Sequence, residues 1–173
     1  MWDAEKKKER LAKLAAAGQG GAVGGVEMDD SVLAGIARGL PEWQRAVKLQ
    51  KKAATVGFDW PGPQPVLEKL REELDEVTVE FAAVAEAPED AAARARLEEE
   101  LGDLLFVAAN LTRHAKVDFG AAMRCANAKF ERRFRAMEAM AAVDGTPLAG
   151  LSLQAQDAYW ERAKAAERGE GAA

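Results

Sequence analysis

The feature that most constrains the fold is the spacing of apolar residues in the long segments between positions 65 and 164. Apolar side chains recur there every three or four residues, as in the series Leu67, Leu70, Leu74, Val77 and Phe81. This spacing is that of one face of an α-helix, and segments of about 20 residues are too long for ordinary strands. Alanine is abundant and β-branched residues are sparse, which also favours helix. The sequence therefore predicts an all-α fold.

Prolines, glycines and capping residues divide the pattern into a bundle of about five helices. The predicted helices span residues 41–56, 65–86, 88–115, 119–143 and 153–164. The first ends at Gly57, before a loop with Pro61 and Pro63 that cannot continue a helix. Asp118 and Ser152 are the predicted N-caps of the last two helices. Because a short turn joins the second and third helices, we expect them to pack antiparallel.

The N-terminal residues differ in composition from the predicted bundle. Residues 2–17 predict a charged helix, and the glycine-rich residues 18–25 predict a flexible linker. We therefore divide the chain into a helix and linker at 1–30, a helical domain at 31–168 that opens with a short helical turn capped by Ser31, and a disordered tail at 169–173.

Composition and missing motifs exclude several classes of protein. The net charge is −5, and no segment is dominated by Lys and Arg, so we expect no nucleic-acid partner. Cys125 is the single cysteine, which excludes an intramolecular disulfide and a cysteine-based zinc site. The sequence contains no apolar run of about 18 residues that could span a membrane, and its N-terminus has no apolar core of the kind found in signal peptides. We therefore expect a cytoplasmic protein. Neither a P-loop nor a dinucleotide-binding glycine motif is present.

Two consecutive helices carry carboxylates beside their apolar faces. Glu73, Glu76 and Glu80 form one stripe on the second helix, and Glu100 and Asp103 begin another on the third. Two like charges about 4 Å apart repel by roughly 4 kcal/mol at an effective dielectric near 20. An oxygen-preferring cation such as Mg²⁺, Mn²⁺ or Ca²⁺ removes that repulsion. The alternative is that both stripes are solvated faces paired with Lys or Arg.

The fourth predicted helix carries the opposite charge. Lys129 and Arg133 lie one turn apart on one flank of its apolar face, and Asn127 lies on the other flank. An arginine fork and a lysine point charge at this spacing suit a polyphosphate. The alternative is that both side chains extend along the edge of the bundle or pair with Glu131 and Glu138.

Together, these motifs resemble the MazG family of nucleoside triphosphate pyrophosphohydrolases. The motifs are Glu-Glu-x-x-Glu at 72–76, Glu-x-x-Asp at 100–103 and Asn-x-Lys-Phe-x-x-Arg at 127–133. The resemblance covers about residues 31–165, although the turn at 85–90 is longer than is usual in the family. Residues 2–10 resemble the linker between the two tandem halves of full-length members. The resemblance therefore implies a linker followed by the C-terminal catalytic half.

The resemblance implies hydrolysis of an NTP or dNTP to the nucleoside monophosphate and pyrophosphate. It also implies Mg²⁺, with Mn²⁺ as the alternative metal, and a homodimer or higher homo-oligomer of all-α chains. The implied metal ligands are Glu73, Glu76, Glu100 and Asp103.

The remaining implied site residues bind substrate or assist catalysis. The implied substrate contacts are Lys48, Trp60, Asn110, Asn127, Lys129 and Arg133. Lys129 and Arg133 are implied to act in catalysis by holding the phosphates, and Glu72 by orienting the attacking water.

Three alternatives compete with this interpretation. The first is another all-α pyrophosphohydrolase, of the phosphoribosyl-ATP or dUTP/dCTP type, which also holds its metal with carboxylates on helices. A non-catalytic regulatory or interaction module would carry acidic stripes that are only solvated. A di-iron bundle normally needs two Glu-x-x-His pairs, and His114 is the single histidine of this chain.

Overall fold

The computed structural model describes residues 29–169, which contain five α-helices and no strand. The helices are α1 (Glu42–Ala54), α2 (Pro63–Glu86), α3 (Ala91–His114), α4 (Phe119–Val143) and α5 (Leu153–Arg168). The predicted all-α class and the number of helices are confirmed. The helix and linker predicted for residues 2–25 lie outside the described residues, as does the tail beyond Gly169. The proposed domain boundaries stay predictions.

The helix ends follow the local capping chemistry. The side chain of Asp118 accepts a hydrogen bond from the Ala121 N–H at 2.7 Å, and Ser152 caps α5, as predicted. Helix α3 begins at Ala91 rather than at residue 88, because the Asp90 carboxylate caps it.

The short helical turn predicted to begin at Ser31 is present as a single turn, and the Ser31 Oγ accepts a hydrogen bond from the Leu33 N–H at 3.1 Å. Residues 31–35 form a turn, in which the Ala34 N–H donates to the Ser31 carbonyl at 2.9 Å. All five helices belong to the compact unit that begins at Gly35.

Helices α2 and α3 form the most extensive packing in the described chain. They run antiparallel, since Arg96 near the start of α3 pairs with Glu80 near the end of α2 at 3.0 Å. Helix α1 packs on α3, where the Gln50 Nε2 donates to the Phe106 carbonyl at 2.8 Å. Val66, Val77, Ala93, Val107 and Ala109 are buried in this three-helix unit.

Helices α4 and α5 form a second pair, which contacts α3 only sparsely. Met137 and Ala141 of α4 and Ala163 of α5 are buried between them. None of the described helices is long and apolar enough to cross a membrane.

Several side chains on the apolar helix faces are exposed, including Leu74 and Phe81 of the series that the period marked on the second predicted helix. The others are Leu105, Met123, Phe130, Phe134 and Leu153, which follow the same spacing on the later helices. The spacing of apolar residues identifies an apolar helix face but not the element that packs against it. Within the described part of one chain, no element covers these side chains fully. Leu74 is 53 % exposed, whereas its neighbour Glu73 is only 4 % exposed.

Candidate metal centre and its surroundings

Three of the predicted carboxylates meet between α2 and α3. One oxygen each of Glu73, Glu76 and Glu100 lies within 4.8 Å of the others. Glu73 and Glu76 are one turn apart on α2, and the antiparallel packing brings Glu100 of α3 opposite them. We call these three residues the carboxylate cluster.

Glu73 is the buried member of the carboxylate cluster. Its Oε1 accepts a hydrogen bond from the Lys69 ammonium at 2.8 Å. Its Oε2 is buried and has no hydrogen-bond partner. An unsatisfied buried acceptor costs about 1–3 kcal/mol, and more when it is charged. An orphaned carboxylate oxygen facing two further carboxylates fits a hard divalent cation, which takes all-oxygen ligands.

The carboxylate cluster also perturbs its own titration. Loss of hydration between the helices raises the pKa of Glu76, and the adjacent Glu73 and Glu100 raise it further. Loss of hydration likewise raises the pKa of Glu100, followed by the negative charges of Glu73 and Asp103. Protons therefore bind more tightly here than to isolated carboxylates, which is the response expected of a site that lacks its countercharge.

Asp103, the fourth predicted ligand, lies one turn beyond Glu100 and is exposed. Its oxygens are not among those of the carboxylate cluster, although its charge acts on Glu100. Gly102 lies beside Asp103 in α3, and a Cβ at Gly102 would meet no atom within 4 Å, so no close helix approach in the described part of the chain requires glycine here. Nothing in the structure explains this glycine.

Lys69 is a site residue that the sequence analysis missed. Its Nζ lies 2.7 Å from Glu72 Oε1 and 2.8 Å from Glu73 Oε1. These hydrogen bonds raise the pKa of Lys69 above its usual range. Lys69 precedes Glu72 and Glu73 by three and four residues, and this spacing on a helix was the signal that could have predicted both ion pairs. Glu72 therefore contacts Lys69 at the edge of the carboxylate cluster and is itself largely exposed.

Two arginines of α4, Arg132 and Arg133, face α5. The Arg133 Nε donates to Glu167 Oε2 at 2.8 Å, and its guanidinium lies 5.6 Å from the centre of the Trp160 ring. Arg132 holds the other oxygen of Glu167 at 2.7 Å. Lys129 and Asn127 are exposed on α4. Since α4 contacts α3 only sparsely, the structure does not join these groups to the carboxylate cluster within the described part of one chain.

The remaining predicted substrate contacts lie at the other end of α3 or on α1. Asn110 is buried, and its Oδ1 accepts from Arg113 Nη2 at 2.8 Å. Arg113 also pairs with Asp59, which accepts a hydrogen bond from the Trp60 N–H at 2.9 Å. Lys48 lines a separate cleft beside α1. These residues do not converge on the carboxylate cluster.

Comparison with known proteins gives a family match for the span that contains these residues. Residues 62–137 match the MazG nucleotide pyrophosphohydrolase domain, a span that includes the carboxylate cluster, Asp103, Lys129 and Arg133. The nucleoside triphosphate pyrophosphohydrolase of Escherichia coli (strain K12) is 43 % identical over 166 residues, which are 96 % of this chain and 56 % of that protein. The nucleoside triphosphate pyrophosphohydrolase/pyrophosphatase MazG of Thermotoga maritima is 42 % identical over 125 residues, 72 % of this chain and 45 % of that protein.

The chain thus spans about half the length of the curated relatives it matches. The helices α2 and α3, which carry the predicted ligands, lie wholly within the matched span, and α4, which carries the predicted phosphate contacts, lies within it except for residues 138–143. The chain therefore carries a domain of the MazG family at residues 62–137.

Proposed function

We propose that this protein hydrolyses nucleoside triphosphates, ribo or deoxy, to the monophosphate and pyrophosphate with a divalent cation. Mg²⁺ is the proposed metal, with Mn²⁺ as the alternative, held by Glu73, Glu76, Glu100 and Asp103. The observation that carries the proposal is the carboxylate cluster with its buried, unpartnered Glu73 oxygen. The activity in the names of the relatives supports it.

The reaction adds water across the anhydride bond between the α- and β-phosphates, with pyrophosphate as the leaving group. When bound, a divalent cation polarises phosphate oxygens and lowers the pKa of a coordinated water. Glu72 borders the carboxylate cluster through Lys69 and is the proposed group that orients the attacking water and accepts its proton. Lys69 supplies a compensating positive charge beside Glu73.

Arg133 and Lys129 are the proposed phosphate contacts. The Nε of Arg133 is already bonded to Glu167, and its Nη groups have no hydrogen-bond partner among residues 29–169. An arginine held in this way offers its free edge to phosphate oxygens. The other proposed nucleotide contacts are Lys48, Trp60, Asn110 and Asn127.

The proposal includes a homodimer or a higher homo-oligomer, acting in the cytoplasm. Leu74 and Phe81 on α2 and Phe130 on α4 are each more than half exposed, which is unusual for large apolar side chains on a stable monomer. An obligate dimer interface buries more than about 2,000 Å² and would cover them. In this arrangement, α4 of one protomer brings Lys129 and Arg133 to the carboxylate cluster of its partner.

A product analysis tests the proposed reaction. The purified chain is incubated with each common NTP and dNTP, with and without Mg²⁺, and the products are separated by anion exchange. We expect monophosphate and pyrophosphate from at least one substrate, and only with the metal. Nucleoside diphosphate and orthophosphate as first products would overturn the proposal. Adding phosphoribosyl-ATP to the panel, and comparing dUTP and dCTP with the other nucleotides, distinguishes the related pyrophosphohydrolases.

A further inference from the structure

A second concave site lies at the opposite end of α3 from the carboxylate cluster. This cleft, between α1 and the α3–α4 turn, has a volume of about 610 Å³. Its walls include Trp43, Lys48, Lys51, Arg113, Lys116 and Phe119. Along α3, Arg113 is about 15 Å from Asp103 at 1.5 Å per residue. The cleft is therefore separate from the proposed metal centre of the same chain.

The cleft holds three lysines without an ion-pair partner in the described part of the chain, beside Arg113, which is paired with Asp59. No carboxylate in the described part of the chain lies within ion-pair distance of Lys48, Lys51 or Lys116. Asp118 is the acidic residue of the lining, and its carboxylate already caps α4. Although the net charge of the chain is −5, the positive potential in a concave cationic surface attracts small anions.

Lys116 occupies a backbone conformation that suits glycine better than lysine. Its φ is 56°, the one positive φ of a non-glycine residue among residues 29–169. The Val117 N–H donates to the Thr112 carbonyl at 2.9 Å, so Lys116 is the left-handed residue of a helix-ending motif that usually has glycine. Local strain of this kind motivates a functional hypothesis for the side chain, which adds a further unpaired ammonium group to the cleft.

The aromatic wall of the cleft is held firmly in place. The rings of Trp43 and Phe119 stack with centroids 5.5 Å apart. The Trp43 ring also lies against Gly120, where an added Cβ would come within 2.7 Å of it. Because packing fixes this wall, the cationic side chains surround a preformed space, and Trp43 is a natural fluorescent reporter of its occupation.

We propose that this cleft binds a small anion that carries a chain of phosphate groups, at a site distinct from the metal centre. Lys51 and Lys116 act as point charges toward the phosphate oxygens, and Lys48, already proposed as a nucleotide contact, is left out of this assignment. The cleft volume lies within the range of small-molecule sites. Without a metal, the carboxylate cluster repels the same anion, so a chelator weakens binding at the proposed metal centre, and Arg133→Ala tests for any binding that remains there.

Calorimetry tests the proposal with inorganic triphosphate, the full chain and EDTA at near-physiological salt. We expect saturable binding, one anion per chain, accompanied by a change in tryptophan fluorescence that is lost in Trp43→Phe. Lys51→Ala and Lys116→Gly should each weaken binding by about tenfold, because each removes one charge-assisted contact. Lys52→Ala is the matched control, since Lys52 is an exposed neighbour on α1 that does not line the cleft.

Lys116→Gly separates a ligand-binding role from a structural one. Glycine accepts the left-handed conformation without strain, so this variant should melt at a higher temperature while it binds triphosphate more weakly. ATP in a parallel titration distinguishes the phosphate chain from the base. Affinity equal to that of triphosphate supports recognition of the phosphates, and tighter binding of ATP adds a contact to the base.

Three outcomes would overturn the proposal. The first is the absence of saturable triphosphate binding. The second is an equal loss of triphosphate affinity in Lys52→Ala and Lys51→Ala. The third is a loss of triphosphate affinity in Arg133→Ala with none in Lys51→Ala. The last outcome would assign the anion to the proposed catalytic site instead. Hydrolysis is measured separately with Mg²⁺, so failure here leaves the proposed function standing.

Discussion

Helices α2 and α3 bring three carboxylates within 4.8 Å of one another, whereas α4 and α5 carry the proposed phosphate contacts on a pair that touches α3 only sparsely. Chain connectivity explains the first arrangement. A short turn forces α2 and α3 to pack antiparallel, and the helical period then sets Glu73 opposite Glu100. No such constraint brings Arg133 to the same place. The acidic half of the proposed site is therefore built within one chain, and the cationic half needs a further contact.

The α2–α3 pair and the α4–α5 pair also differ in what they bury and what they expose. Glu73 is buried between α2 and α3, while Phe130 on α4 is 59 % exposed. Buried negative charge and exposed apolar surface are both unfavourable, and each indicates a missing partner. We propose a divalent cation for the first and a second copy of the chain for the second. The following predictions test these two partners separately.

The largest expected effect is on the carboxylate cluster. Glu73→Ala should lower the rate of pyrophosphate release by about 10³-fold or more, since metal stabilisation of the transition state is worth several kcal/mol. Glu68→Ala, an exposed carboxylate on the same helix, is the matched control and should change the rate less than about twofold. Circular dichroism must show that both variants keep their helices. Turnover retained in Glu73→Ala would remove this residue from the proposed metal site.

A smaller loss is expected on the cationic side. Arg133→Ala should lower the rate by about 10²-fold, the effect of removing one preorganised charge from a phosphate-binding site. Arg132→Ala is a close control, because both arginines bond to Glu167 but Arg132 is 61 % exposed at its side chain. We expect Arg132→Ala to stay near the wild-type rate. Calorimetry with Mg²⁺ should show unchanged metal affinity in Arg133→Ala, and a loss as large as in Glu73→Ala would contradict its phosphate role.

Mixing two inactive variants tests whether the site is shared between chains. If one protomer supplies the carboxylates and its partner supplies Arg133, dimers of Glu73→Gln with Arg133→Ala have one intact site. Random exchange then restores about one quarter of the wild-type sites. Refolding the two variants together and separately, followed by rate measurement, gives the comparison. Activity that stays absent after verified subunit exchange would mean that the complete site lies within one chain.

The sequence was sufficient where local rules decide the structure. The period of α2 and α3 and their short connection predicted the carboxylate cluster, and capping chemistry predicted Asp118 and Ser152 as N-caps. The sequence was insufficient where the structure depends on which distant surface packs against a helix. The period marked Leu74 and Phe130 as apolar positions, but it contains nothing about what covers them. Lys69 was missed because its spacing of three and four residues from Glu72 and Glu73 is also that of ordinary ion pairs on a solvated helix face.

The smallest expected effect concerns the metal-free protein. Between the helices, the pKa of Glu76 is raised above its ordinary value of 4.5. A carboxyl group whose pKa is raised by folding stabilises the fold when it is protonated. That contribution is complete below about pH 4.5 and is lost as the pH rises through the raised value. At pH 7.5 the charged Glu76 therefore opposes folding, and Glu76→Gln should raise the Tm of the metal-free chain by roughly one or two degrees.

The pH dependence and the metal together identify the cause of that shift. The Tm difference between Glu76→Gln and the wild type should shrink as the pH is lowered from about 7.5 toward 4.5, because the wild-type carboxyl group then becomes neutral as well. Adding Mg²⁺ at the higher pH should stabilise the wild type more than the variant, since the cation binds the folded carboxylate cluster. Glu68→Gln, on the exposed face of α2, should show neither effect. A Tm difference that is independent of both pH and Mg²⁺ would mean that the substituted amide side chain merely packs better than the carboxylate, and the repulsion inferred at the carboxylate cluster would be absent.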